Sequence, residues 1–284
     1  MYIPITAVSD YARQFLERHK QGTVHSVYRK TVNFSLGGHL LALQAADSPL
    51  SPISLITPLT AREMEGLPIQ TGDCVSISSG VIQIGKSCLF SSRHAVSAKL
   101  ALSSSLSHEE LSVLEQRIFS VLARRNAGSF ELLFSQPQKA CEIPFLAIAQ
   151  SHLLSVSQAL LLSDWKESAR RLCRLMGLGL GLTPGGDDFL CGILAGLILC
   201  KIDRHPFSII LHETLTENLS NTNPISAAFL QCALEGQFSM AVCSLTAMPF
   251  PEEILTEFLK IGHSSGTDTL CGIAYILRNR ALLT

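Results

Sequence analysis

The sequence predicts an α+β protein: a β-rich N-terminal part, a small antiparallel sheet or barrel over residues 1–105, then a mainly α-helical part over 106–284. Three observations carry this. Up to about Leu102 the apolar segments are short, β-prone and broken by Gly-Gly, Pro and Ser-Gly. From Ser107 onward the apolar residues recur at helical spacing between capping signals. One irregular, glycine-bearing sequence also occurs twice in the helical part, as GGDDFLCGI at Gly185–Ile193 and SGTDTLCGI at Ser265–Ile273, 80 residues apart.

The strands are expected in TVHSVYRKTVNF, HLLALQ, SPISLIT, CVSISSG and VIQIGKSCLF, between Thr23 and Phe90. The first helix opens at a capping box of Ser107 and Glu110 and ends before Gly128. Next come Pro144–Ser163 and, after a second capping box of Asp164 and Glu167, Trp165–Met176, which Gly177 stops. Further helices are expected at Ser208–Leu219, Pro224–Glu235, Phe238–Thr246, Pro251–Ile261 and Asp268–Arg278, with Pro224 and Pro251 in first turns.

In TPGGDDFLCGILAGLILC, Pro184 and two glycines end any incoming helix, and the uncharged run Phe189–Cys200 has helical length. A loop therefore feeds a buried helix. Asp187 and Asp188 fall in its first turn or at its cap, where a carboxylate accepts from free backbone N–H groups and complements the helix dipole. Thr267 and Asp268 hold the matching corner of the second copy, entered through Gly262-His263-Ser264-Ser265-Gly266. Pseudo-symmetry would turn Asp188 and Asp268 toward one shared cleft. Capping, with Gly192 and Gly272 letting two helices approach, is one reading. A ligand site is the other, because two glycines and a proline beside adjacent acids serve helix stability poorly.

With 284 residues the chain can bury a large core without staples. Charged residues make up 16% against roughly 25% in average domains, which predicts a surface partly covered by a partner, another protein or further copies of the chain. No apolar stretch is expected to reach about 18 residues without charge or a breaker; the longest, Phe189–Cys200, fits a core helix rather than a membrane span, and the N-terminus lacks the pattern of a secretory signal. Nine cysteines, none in C-x-x-C and most in apolar runs, read as core residues of a cytoplasmic protein. Balanced charge, 22 basic against 23 acidic, without a basic tract gives no sign of nucleic-acid binding.

The glycines of GLGLGLTPGG follow a helix rather than a strand, which excludes a dinucleotide fingerprint, and no Lys-Ser or Lys-Thr completes a phosphate loop. No G-x-S-x-G elbow supports a serine nucleophile. What remains is a nest of backbone N–H groups at Thr183, Gly185 and Gly186, suited to phosphate or carboxylate. Ser264, Ser265 and Gly266 offer the same in the second copy. Asp187, Asp188 and Asp268 are candidate Mg²⁺ ligands, and Asp188 and Asp268 candidate catalytic groups beside His263, a proton donor or carbonyl polariser. Asn223 and Ser226, around Pro224, form either an ordinary cap or a third polar corner. Arg29 would suit an anion, against the plainer reading of a solvated strand face.

GLGLTPGGDDFLCG, TNPISAAFLQCALEGQF and IGHSSGTDTLCG, in this order and spacing, and more weakly SVYRKTVNF, resemble the bacterial family catalogued as DUF2877. Gly185 departs from it, since a serine is more usual there. The resemblance implies association with oxamate carbamoyltransferase of anaerobic allantoin breakdown, in which oxalurate and phosphate give carbamoyl phosphate and oxamate with the help of other subunits. It carries over no catalytic residues. A non-catalytic scaffold subunit and a metal-dependent small-molecule phosphotransferase stand as alternatives.

Overall fold

A computed structural model describes residues 2–283 and divides into two compact units, 1–101 and 102–284. The first unit holds β1 (Tyr2–Pro4), β2 (Ala7–Ser9), α1 (Asp10–Arg18), β3 (Gln21–Tyr28), β4 (Thr31–Leu36), β5 (His39–Gln44), β6 (Ser54–Ile56), α2 (Ala61–Glu65), β7 (Cys74–Ser78), β8 (Val81–Ile84), β9 (Cys88–Ser91) and β10 (Val96–Ala98). One mixed sheet runs β1-β9-β8-β7-β3-β4-β5-β6-β2-β10. Because β1 pairs with β9 while β2, just beyond Ile5 and Thr6, pairs with β6, the segment Tyr2–Ser9 links the two sides of the sheet, which curls into a half-barrel. Gly37 (φ 57°) and Gly38 (φ 86°) make the β4–β5 turn, and Ser79 (φ 47°) with Gly80 (φ 74°) the β7–β8 turn.

Helix α1 escaped the sequence reading. Its nine residues are amphipathic, and the Ser9 hydroxyl caps it by accepting from the Ala12 N–H at 2.9 Å. Lying between strand-like neighbours, it offered too few residues to show a period.

The second unit contains α3 (His108–Ala123), α4 (Leu132–Ser135), α5 (Pro137–Ala140), α6 (Pro144–Leu161), α7 (Trp165–Cys173), α8 (Gly185–Leu199), α9 (Pro206–Glu217), α10 (Pro224–Leu234), α11 (Met240–Ser244), α12 (Pro251–Leu259) and α13 (Ser265–Asn279). The Ser107–Glu110 capping box is present. The Asp164–Glu167 box is only half made: Asp164 accepts from the Glu167 N–H, but the Glu167 carboxylate turns to Arg170 and Arg171 instead. Two guanidiniums outcompete one N–H for it. Helix α13 begins at Ser265, one turn before the expected Asp268.

Helices α8 and α13, both buried on nearly every face, are the centre of this unit. Glycine lets them touch. A Cβ on Gly192 would stand 2.1 Å from the Thr269 carbonyl oxygen, and one on Gly272 would stand 2.0 Å from the Phe189 carbonyl oxygen. These contacts are related by the 80-residue offset, so the repeated sequences cross each other about a local two-fold. Gly186 and Gly266 repeat the relation, the first against the Leu175 carbonyl and the second against the Phe258 carbonyl, each oxygen 2.0 Å from where a Cβ would stand.

The longest uncharged helix is α6 rather than α8. Its 18 residues are long and apolar enough by length and composition to cross a membrane, with a third of them buried. This corrects the expectation that no such stretch reaches about 18 residues: Gln150, Ser151, His152, Ser155, Ser157 and Gln158 interrupt its apolar pattern without adding charge.

Candidate functional site

The two corners are built from opposite ends of the repeat. After α7 the chain turns at Gly177 (φ 73°), runs through Gly179 (φ 125°) and Gly181 (φ 99°), and enters α8 behind Pro184. These backbone angles suit glycine and leave Leu180 and Leu182 facing solvent. Buried Asp187 closes the turn, accepting from the Gly177 N–H at 2.8 Å and the Thr222 hydroxyl at 2.5 Å. Asp268, fully buried, accepts from the Ser129 hydroxyl at 2.8 Å on one oxygen and the Phe130 N–H at 3.0 Å on the other. Each of these acids ties a distant segment to the start of its helix instead of capping that helix, as the sequence had suggested.

Asp188 differs from both. The residue keeps partial exposure, yet its Oδ2 is closed off from solvent and has no hydrogen-bond partner among the described residues. The Thr183 and Ser265 hydroxyls, 2.8 Å apart, lie beside it. Burial pushes its pKa up to about 7 against the pull of those hydroxyls, and the nearby charge of Asp187 raises it further. Burial likewise holds Asp268 well above the usual carboxylate range, opposed by Ser129 and Phe130 and reinforced by Asp188 and Glu131. Asp268 therefore feels the charge of Asp188.

The reciprocity is close. Asp188 lies beside the Ser265 hydroxyl, and Asp268 lies beside Gly185, the residue 80 positions before Ser265: a Cβ on Gly185 would stand 2.9 Å from Asp268 Oδ2 and 3.2 Å from the Ser129 hydroxyl. Where the second copy carries a hydroxyl, the first carries none, and Ser129 supplies it from another segment.

Thr183, Gly185, Asp188, Ser265 and Asp268 thus come together. Other predicted residues are spent on structure. The Gly186 N–H donates to the Leu178 carbonyl at 2.8 Å, so the expected anion nest loses a donor, and Gly266 is packed under Phe258. Asn223 caps α10 through the Ile225 and Ser226 N–H groups while its amide holds the Leu182 carbonyl at 3.0 Å, and Ser226 is buried. The Ser264 side chain makes no cap bond, although its carbonyl accepts the Asp268 N–H. His263 is exposed, its carbonyl accepting from Arg125 at 3.1 Å. Arg29 belongs to the first unit, exposed and 4.0 Å from Glu65. Of the three proposed Mg²⁺ ligands, Asp187 and Asp268 already accept a hydrogen bond on each oxygen, whereas Asp188 keeps its Oδ2 without a partner among the described residues.

Residues 175–277, from the end of α7 through both corners to the end of the second repeat, match the family model described as oxamate carbamoyltransferase subunit AllH. Residues 5–99 match the AllH family N-terminal domain. The chain belongs to the AllH family. DUF2877 is another name for it, so the resemblance in the motifs was sound. No solved structure matches the chain. Within the AllH-matched region lie Asp187, Asp188 and Asp268, whereas Ser129, Phe130 and Glu131 fall between the two matched segments.

Those three residues are what the sequence reading missed. Buried Glu131 folds its segment by accepting from the Gly128 N–H at 2.7 Å and the Ser129 N–H at 3.0 Å, and the turn so formed presents Ser129 and Phe130 to Asp268. A lone acid after Ala-Gly-Ser-Phe announces nothing by spacing. Arg125, which holds the Thr267 hydroxyl at 3.0 Å as well as His263, was equally silent.

Proposed function

We propose that the chain is an oxamate carbamoyltransferase subunit that receives a small carbamoyl-transfer metabolite, of the oxamate, oxalurate, carbamoyl phosphate or phosphate class, at the Asp188 corner, and acts with other subunits. One observation carries the proposal: among the three corner acids, Asp188 alone keeps a buried oxygen without a partner, beside two hydroxyls on residues that are only half-buried. A buried acceptor left unmade costs about 1–3 kcal/mol, a cost that a donor from a ligand removes. The elevated pKa of Asp188 fits such a place, since perturbed acids gather at working sites. Mg²⁺ would find a single carboxylate oxygen without a partner here and so would arrive with ligand oxygens filling most of its shell.

A scaffold role is the second reading, favoured by the structural commitments of Asp187 and Asp268. Thermal unfolding separates the two. With oxamate, carbamoyl phosphate or phosphate at a hundredfold excess over the dissociation constant, each with and without Mg²⁺, a native-state ligand adds about 2.7 kcal/mol of apparent stability. The proposal expects a shift in the wild type that Asp188→Ala loses. A scaffold gives none with any ligand, even when its partner subunits are present.

A further inference from the structure

Across the local two-fold, Asp268 is the counterpart of Asp188, and its surroundings show what this corner does to a carboxyl group. Two donors close on it from outside the repeat, an O–H from Ser129 on one oxygen and an N–H from Phe130 on the other. Asp188 has hydroxyls at its side, from Thr183 and Ser265, but no N–H comes to its buried Oδ2. The segment that serves Asp268 belongs to neither repeat, so the two-fold brings no equivalent to Asp188.

The charges point the same way. Asp188 feels Asp187 on its own helix, and Asp268 on α13 feels Asp188 and Glu131; among the described residues no cation contributes to the balance at either acid. Arg125, a cation at the second corner, is spent on the Thr267 hydroxyl and the His263 carbonyl. An anionic oxygen brought to this group of acids meets repulsion in a poorly solvated place, whereas an uncharged N–H meets attraction.

We infer that the Asp188 corner reads the N–H edge of its ligand, a carbamoyl, primary amide or ureido group, and leaves the anionic end to groups outside the corner. This rests on the reading that the ligand binds at Asp188, and it adds the direction in which the ligand lies. In the bound state a ligand N–H stands to Asp188 Oδ2 as the Phe130 N–H stands to Asp268.

Calorimetric titration of the full chain, alone and with its partner subunits, tests this with three probes of similar size: oxamate, N,N-dimethyloxamate, which lacks the N–H groups, and oxalate, which replaces the amide by a second carboxylate. Oxamate is expected to bind at least about tenfold more tightly than either analogue, the worth of one charge-assisted hydrogen bond. Asp188→Ala should bring the three affinities within about threefold of one another, and the Asp188→Asn variant guards against a folding defect by retaining the side-chain volume. Oxalate or dimethyloxamate binding as tightly as oxamate in the wild type overturns the inference and leaves the site standing. Oxamate binding that ignores both substitutions overturns the site itself, and no binding by any probe in either preparation overturns both.

Discussion

Gly192 and Gly272 face each other where α8 and α13 cross, and each leaves room for a backbone carbonyl of the opposite helix about 2 Å from where its Cβ would be, 2.1 Å for Thr269 and 2.0 Å for Phe189. A side chain at either position must push two buried helices apart. Gly192→Ala and Gly272→Ala should each cost roughly 2–3 kcal/mol, or a drop in Tm of roughly 5–10 °C, although alanine is the better helix former. Differential scanning calorimetry checks it, and an unchanged Tm would remove the close crossing from the account.

A second prediction concerns the hydroxyl that Gly185 lacks. Ser129→Ala should cost about 1–2 kcal/mol by removing the donor to Asp268, and Gly185→Ser alone should cost a similar amount, since its Cβ meets Asp268 Oδ2 at 2.9 Å and the Ser129 hydroxyl at 3.2 Å. Combined, they should cost less than their sum by more than about 0.5 kcal/mol, because the new hydroxyl takes the place of the old one as Ser265 does beside Asp188. Simple additivity in a denaturant-unfolding cycle would contradict the reciprocity.

Asp268 should tolerate loss of charge but not loss of its oxygens. Burial holds it above the ordinary carboxylate range and so disfavours its charge, and Asp268→Asn should lie within about 1 kcal/mol of the wild type. Asp268→Ala strands the Phe130 N–H and the Ser129 hydroxyl and opens a cavity, at about 2–4 kcal/mol. Urea midpoints of the two variants decide it.

The fourth prediction is a pH dependence. The pKa of Asp188 in the folded chain, about 7, lies above its ordinary 3.8, so the folded state holds the proton more tightly than the unfolded one. Its contribution to stability is fully present below about pH 4 and is lost as pH rises through 7. The charge of Asp187 on the same helix pushes in the same direction. Asp188→Asn should therefore flatten the stability profile between pH 4 and 7 and exceed the wild type at pH 8 by roughly 2 kcal/mol. A difference between the two proteins that stays constant across this range would rule out the raised pKa.

Much of this was legible before the structure. Short alternating runs between glycine turns gave the half-barrel, and capping signals with prolines in first turns gave most of the helices, because both rest on local backbone chemistry. The duplicated G-x-D-x-L-C-G-I core located the crossing helices and the acids in their first turns. Which acid keeps an oxygen without a partner was not legible. Asp187 and Asp188 are neighbours in sequence, yet Asp187 is held by Gly177 and Thr222, and Asp268 differs from Asp188 through Ser129 and Phe130, more than a hundred residues earlier. Long-range hydrogen bonds have no period, so the sequence showed the acids without their partners.

The account turns on Asp188 as the acid that meets a ligand. Its carboxyl carbon, followed by NMR in protein labelled at the aspartate carboxylates and assigned with Asp188→Asn, reports that directly. The account predicts a midpoint near 7 for the chain alone, as its buried position gives, and a fall of about one unit or more in saturating oxamate, because an N–H donor favours the charged form. An ordinary midpoint near 4, or one near 7 that oxamate leaves unmoved, would contradict it.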